Sequence, residues 1–230
     1  MSPQEGQKKG ITHTRFSAMF FSKKLVHQFL GPYARVLRGW FNEYPLPEFL
    51  IIGAQKGGTT SLYSYLMQHP GILPSEKKEI QYFGHPKNLI RGEAWFRRHF
   101  PSASLRKSVE RKIGYPPISF EATPDMEKPL VPKLVHDLLP RAKLIAALRN
   151  PVDRAFSQYQ HNLKVEGREP LSFEEAIARS AGNPAGEFMQ DEKDGEPKKQ
   201  RNYLTRGFYD EQLERWYAYY PKDHMHIICS

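Results

Sequence analysis

The densest chemistry in the sequence lies in Gly53-Ala54-Gln55-Lys56-Gly57-Gly58-Thr59-Thr60-Ser61. Gly57 and Gly58 carry no Cβ, so their backbone N–H groups can approach an anion closely. A helix opening at Thr59 adds unpaired N–H donors and the positive end of its dipole. Lys56 adds a full charge, and Thr59, Thr60 and Ser61 add hydroxyl donors. The expectation is a cradle for a phosphate-like group. A nucleotide-triphosphate loop would read G-x-x-x-x-G-K-[ST]. Gly53 and Gly58 keep that frame, but Thr59 fills the lysine slot and the lysine has moved back to Lys56. The apolar run Lys143–Leu148 ends in Arg149, not in the Asp that usually helps hold magnesium. Both departures argue against Mg-nucleotide chemistry. They leave a P-loop kinase-like phosphotransferase as the rival enzyme reading. A non-catalytic fragment binding anions or membranes is the rival from another class.

Three further segments complete a pattern. Leu148-Arg149-Asn150-Pro151-Val152-Asp153-Arg154-Ala155-Phe156-Ser157 puts Arg149 at a strand end and Ser157 about two turns into the next helix, so both can face one ligand. Lys78-Glu79-Ile80-Gln81-Tyr82-Phe83 sets a carboxylate beside lysines. Tyr159-Gln160-His161 adds an imidazole. With the Lys56-Gly57-Gly58-Thr59-Thr60 loop, these resemble sulfotransferases that use 3′-phosphoadenosine 5′-phosphosulfate (PAPS), and among them the heparan-sulfate-type and bacterial enzymes. The resemblance implies that Lys56, Gly57, Gly58, Thr59, Thr60 and Ser61 hold the 5′-phosphosulfate. It implies that Arg149 and Ser157 hold the 3′-phosphate, that Glu79 is the catalytic base, and that His161 lines the substrate cleft. PAPS is then the sulfuryl donor, and no metal is required. The acceptor is a hydroxyl or amine of a saccharide, a lipid or a small metabolite. Tyr82, His85, Trp95 and Arg98 are candidates to line its cleft. Phe120-Glu121-Ala122-Thr123-Pro124 resembles the family's E-K-[TS]-P segment, with Ala122 in place of the lysine. The resemblance runs from about Phe49 to Ser230. It implies that the family's C-terminal part, with its late basic loop, is missing here.

These residues need a scaffold. Glu48–Gly53 is a short, nearly continuous apolar run and reads as a buried strand of a parallel sheet. Thr59–His69 reads as a helix stopped by Pro70-Gly71. Pro117–Glu121 reads as a strand, Leu130–Leu139 as a helix, Lys143–Leu148 as a strand, and Val152–Val165 as a helix opened by Asn150-Pro151. Ser172 and Glu175 form a capping box for a helix through Ala178. Phe208–Tyr220 is an amphipathic helix and His224–Ser230 a final strand. Strands alternating with helices predict an α/β fold, a P-loop-like, mostly parallel sheet flanked by helices. Ala181–Asn202 breaks the rhythm with a charge-dense stretch read as a solvated loop, or as a flap over the site.

Composition bounds the rest. The longest unbroken apolar runs, Leu144–Leu148 and Trp216–Tyr220, are far short of the roughly 20 residues of a membrane span. One cysteine, Cys229, excludes a disulfide framework and a multi-cysteine metal site. Residues 1–45 hold seven bases and two acids, +5 of the chain's +9. The charge therefore marks a basic N-terminal arm (1–45) ahead of a mildly basic domain (46–230), and not a nucleic-acid-binding surface. Apolar residues from Phe16 to Trp40 recur at helical spacing, interrupted at Gly31-Pro32. The arm is expected to be partly helical, either packed on the domain or touching a membrane surface peripherally through residues 13–41. With no apolar leader, the expected location is cytoplasmic, as for bacterial-type enzymes, with membrane-peripheral as the alternative.

Overall fold

The apolar run after Glu48 becomes the central strand of a parallel sheet, and the rest of the fold is arranged around it. In the computed structural model the described residues are 43–164, 169–182, 188–190, 197–199 and 202–230. The arm, including the segment expected to touch membranes, falls outside them up to residue 42. In chain order the elements are β1 (Phe49–Gly53), α1 (Thr59–Leu66), β2 (Ile72–Pro74), α2 (Pro86–Leu89), α3 (Gly92–Arg97) and α4 (Ala103–Ile113). Then come β3 (Ile118–Glu121), α5 (Val131–Leu138), β4 (Lys143–Leu148), α6 (Pro151–Lys164) and α7 (Phe173–Gly182). The last are β5 (Phe188–Gln190), β6 (Pro197–Lys199), α8 (Tyr209–Tyr217) and β7 (Met225–Cys229).

Five strands pair in the order β2-β3-β1-β4-β7, and every pair is parallel. β1 is buried along its whole length because helices cover both faces of the sheet. Leu50 and Ile52 share one cluster with Leu144, Ala146, Val131, Val135 and Trp216. Phe49 and Ile51 face the other way, toward Phe120, Leu62, Tyr63 and Leu66. Alternate residues thus feed opposite layers, which is why the strand reads as unbroken apolar sequence. Phe49 and Phe120 are register partners whose rings stack at 4.9 Å.

The expected α/β architecture is present, with differences at its margins. The first helix ends at Leu66, where Gln68 and His69 close tighter turns onto Tyr65 and Leu66. The last helix is shorter than its apolar pattern, ending at Tyr217. The capping box forms as expected: the Ser172 N–H donates to Glu175 Oε2 (2.9 Å) and the Glu175 N–H to Ser172 Oγ (3.3 Å). Three helices between Pro86 and Ile113 and the three-residue β2 were not anticipated. The segment read as a loop contains β5 and β6, paired antiparallel.

Candidate active site

The order of the sheet decides where chemistry can gather. β3 and β4 flank β1, so the carboxyl ends of all three open at one edge, where the strand order reverses. Gly53 leads into the loop there, Glu121 ends β3, and Leu148 precedes Arg149.

The loop is built against β4. The Ala54 N–H donates to the Ala147 carbonyl (2.7 Å), and the Gly57 N–H to the Ala54 carbonyl (2.9 Å). A Cβ on Gly57 would lie 2.1 Å from the Ala147 oxygen, so only glycine fits. Lys56 and Gly58 take positive φ, 68° and 92°, which turns the chain sharply into α1. That helix has no side-chain cap, so no capping side chain covers its first-turn N–H groups. The α6 terminus differs: Asn150 Oδ1 accepts from the Val152 N–H at 2.9 Å. Gly58, Thr60 and Ser61 are exposed and Lys56 is half-buried. Thr59, in the slot a triphosphate loop gives to lysine, is buried. Gln55 Oε1 is also buried, with no hydrogen-bond partner.

Glu79 comes to this loop from the segment after β2. Burial draws the Lys56 ammonium below the usual lysine range, while the nearby charge of Glu79 pulls it upward and that of Lys78 downward. Glu79 Oε1 pairs with Lys78 Nζ at 2.6 Å. A carboxylate and two ammonium groups thus share one neighbourhood at the loop. Arg149 is half-buried, and its carbonyl accepts from the Tyr209 hydroxyl at 3.0 Å. Ser157 is half-buried on α6, and His161 lies one turn further on, on an exposed face.

Residues 46–229 match the sulfotransferase domain family. The chain belongs to this family. A bifunctional heparan sulfate N-deacetylase/N-sulfotransferase of Drosophila melanogaster is 36% identical over 195 residues, covering 80% of this chain and 18% of the relative. A human heparan sulfate N-deacetylase/N-sulfotransferase 2 is 34% identical, with 80% and 20% covered. The chain therefore spans about a fifth of the length of these curated relatives. The crystal structure of a sulfotransferase from Alicyclobacillus acidocaldarius superposes with a TM-score of 0.61 at 31% identity, covering 80% of this chain and 73% of that one.

Within the sulfotransferase domain some expected cleft residues turn out to be packing. Tyr82 is buried, stacked on Phe96 with ring centroids 4.6 Å apart. Trp95 is half-buried, edge-on to His99 and under the Arg91 guanidinium. His85 precedes α2 and Arg98 is exposed at the end of α3. Ala122, which stands in the lysine position of the E-K-[TS]-P pattern, is fully buried under α1 with Phe49, Ile51 and Phe120.

The residues missed from sequence are those that hold Glu79's segment. Glu121 is only 4% exposed. Its carboxylate accepts from the Ile80 N–H (3.1 Å), the Thr123 N–H (3.0 Å) and the Thr123 hydroxyl. Burial pushes its pKa up to about 7, against the pull of these hydrogen bonds. The glutamate of the E-A-T-P segment was visible in the sequence, but the groups that donate to it were not. Among the described residues, no group of acidic, His or Cys side chains is arranged to hold a metal. None of the described helices is long and apolar enough to cross a membrane.

Proposed function

We propose that this chain transfers a sulfuryl group from PAPS to a saccharide acceptor, at an amine or a hydroxyl. The observation that carries this reading is the glycine loop braced on β4 at the uncapped end of α1, with Glu79 near enough for its charge to act on Lys56. It sets a proton acceptor beside an anion cradle. The donor's fit rests on the cradle itself, where Gly57 lies against the β4 backbone and Gln55 Oε1 is buried without a partner.

Lys56, the N–H groups of Gly58 to Ser61 and the exposed hydroxyls of Thr60 and Ser61 would hold the 5′-phosphosulfate, while Gly57, whose N–H is taken by the Ala54 carbonyl, shapes the loop. Arg149 and Ser157, at the neighbouring strand end and on α6, would hold the 3′-phosphate. When bound, the donor supplies the sulfuryl group. Glu79 takes the proton from the attacking oxygen or nitrogen. Lys56 and the α1 N-terminus meet the negative charge that develops on the departing phosphate. The loop, braced on β4, fixes the orientation. The relatives named as heparan sulfate N-sulfotransferases support a saccharide acceptor, and its amine is the first group to test.

The test is transfer from PAPS to a glucosamine-containing oligosaccharide without magnesium. We expect turnover in the wild type. Glu79→Gln should keep affinity for adenosine 3′,5′-bisphosphate while losing turnover by about 10²–10⁴-fold. Wild-type turnover in that variant would remove Glu79 from the base role. A strict magnesium requirement with ATP affinity would replace the reading with a phosphotransferase.

A further inference from the structure

Glu79 sits in a segment whose backbone does not favour its own shape. Glu79 and Gln81 have φ of 62° and 57°, the left-handed region that crowds any residue with a Cβ. Two such residues flanking one buried isoleucine persist only where their surroundings hold them.

The hold comes from the turn after β3. Glu121 takes the Ile80 N–H at 3.1 Å, and Thr123 Oγ1 takes the Gln81 N–H at 3.1 Å. The Thr123 hydroxyl and N–H both donate to Glu121, so the two side chains form one unit. From the other side Asn88 Nδ2 donates to the Ile80 and Gln81 carbonyls, at 3.3 and 3.1 Å. Further along, Lys128 Nζ donates to the Gly84 carbonyl (2.9 Å) and pairs with Asp125 Oδ1 (2.6 Å). A Cβ on Gly84 would lie 1.8 Å from Asp125 Oδ2.

The placement of Glu121 shows that this hold is specific. Its register partner is Leu50, and it shares a small cavity with the polar Thr123 and Asp125 and with the apolar Leu50, Ile52, Val135 and Trp216. A buried carboxylate is costly unless its hydrogen bonds are made. The backbone bond it makes across the chain is to the residue beside Glu79.

We propose that Glu121 and Thr123 are positioning residues that aim Glu79 at the Lys56 loop by fixing the backbone at Ile80 and Gln81. This rests on the reading of Glu79 as the base. Thr123→Val removes the hydroxyl at nearly constant volume, and Thr123→Ser restores it. In Thr123→Val we expect amide hydrogen exchange at Ile80 and Gln81 to rise at least about tenfold, and kcat toward the glucosamine oligosaccharide to fall about 10- to 100-fold. Affinity for adenosine 3′,5′-bisphosphate should stay within about twofold, because the loop is untouched. Thr123→Ser should recover exchange and kcat together. Asn88→Ala, acting on the opposite side of the same peptides, should repeat the pattern if Thr123→Val does not fold. The proposal is overturned if Thr123→Val keeps slow exchange and full kcat, or if the serine variant behaves like the valine one. It is also overturned if nucleotide affinity falls in step with kcat, since that marks a general structural loss. Failure of the base assignment looks different: Glu79→Gln would then keep full turnover while Thr123→Val still loosened the segment.

Discussion

Lys56 lies between opposing influences, with burial and Lys78 disfavouring its charge and Glu79 favouring it. An anion at the loop would relieve the first two. Lys56→Ala should therefore weaken adenosine 3′,5′-bisphosphate binding by about 10- to 100-fold, the worth of a charged hydrogen bond, and slow turnover as well. Calorimetry showing unchanged affinity would remove Lys56 from the loop's function. Glu121 makes a prediction of another kind. Its folded pKa, about 7, lies above the ordinary glutamate value of about 4.5, so the folded state binds the proton more tightly. Its stabilising effect is complete below about pH 4.5 and is lost as the pH rises to about 7, on the order of 3 kcal/mol. Asp125 and Tyr63, the titratable neighbours of this carboxylate, are both raised by burial. Urea unfolding should show the loss between about pH 4.5 and 7, and Glu121→Gln should flatten it; an equal slope in both proteins would contradict it. Lys56 and Arg149 were legible from sequence because local spacing alone places them, one in a loop between strand and helix, the other at a strand end. Glu121 and Thr123 were not, because the groups they hold, Ile80 and Gln81, come from a distant segment and no spacing rule joins them.

At the scale of elements, the tight fit of the loop on β4 has the clearest consequence. Gly57→Ala would press a methyl into the Ala147 carbonyl, and overpacking of this kind costs about 1–3 kcal/mol. Either the loop moves and binding falls, or β4 moves and the unfolding midpoint drops; a variant unchanged in both would show that the contact has room to relax. Elements buried on both faces were readable because burial writes them as apolar runs. Phe49–Gly53 and Lys143–Leu148 are such strands. The helices from Pro86 to Ile113 carry no such mark: α4 has no buried residue and α3 buries only Phe96. Strand β2 is three half-buried residues at the sheet's edge, too short for any alternation to show. β5 and β6 lie in a charge-dense stretch, where composition points to a loop while backbone pairing makes a hairpin.

For the whole molecule, a ligand that binds only the folded chain must stabilise it. Adenosine 3′,5′-bisphosphate at a hundred times its dissociation constant should add about 2.7 kcal/mol and raise the unfolding midpoint with no magnesium present. An unshifted midpoint in a folded sample would argue against the nucleotide site. The sheet order has a further consequence, for the order of events in folding. The central strand pairs Leu50 with Glu121 on one side and with Leu144 on the other, so neither neighbour is local in sequence. Closing such long loops comes before any reward from pairing, and parallel sheets of this kind fold slowly. During synthesis the most apolar strand would leave the ribosome long before its partners and wait unpaired, exposed to aggregation and to chaperones. The anion loop, braced on Ala147, has no shape until β4 arrives, so nucleotide binding would report on the late steps of folding as well as on the finished fold.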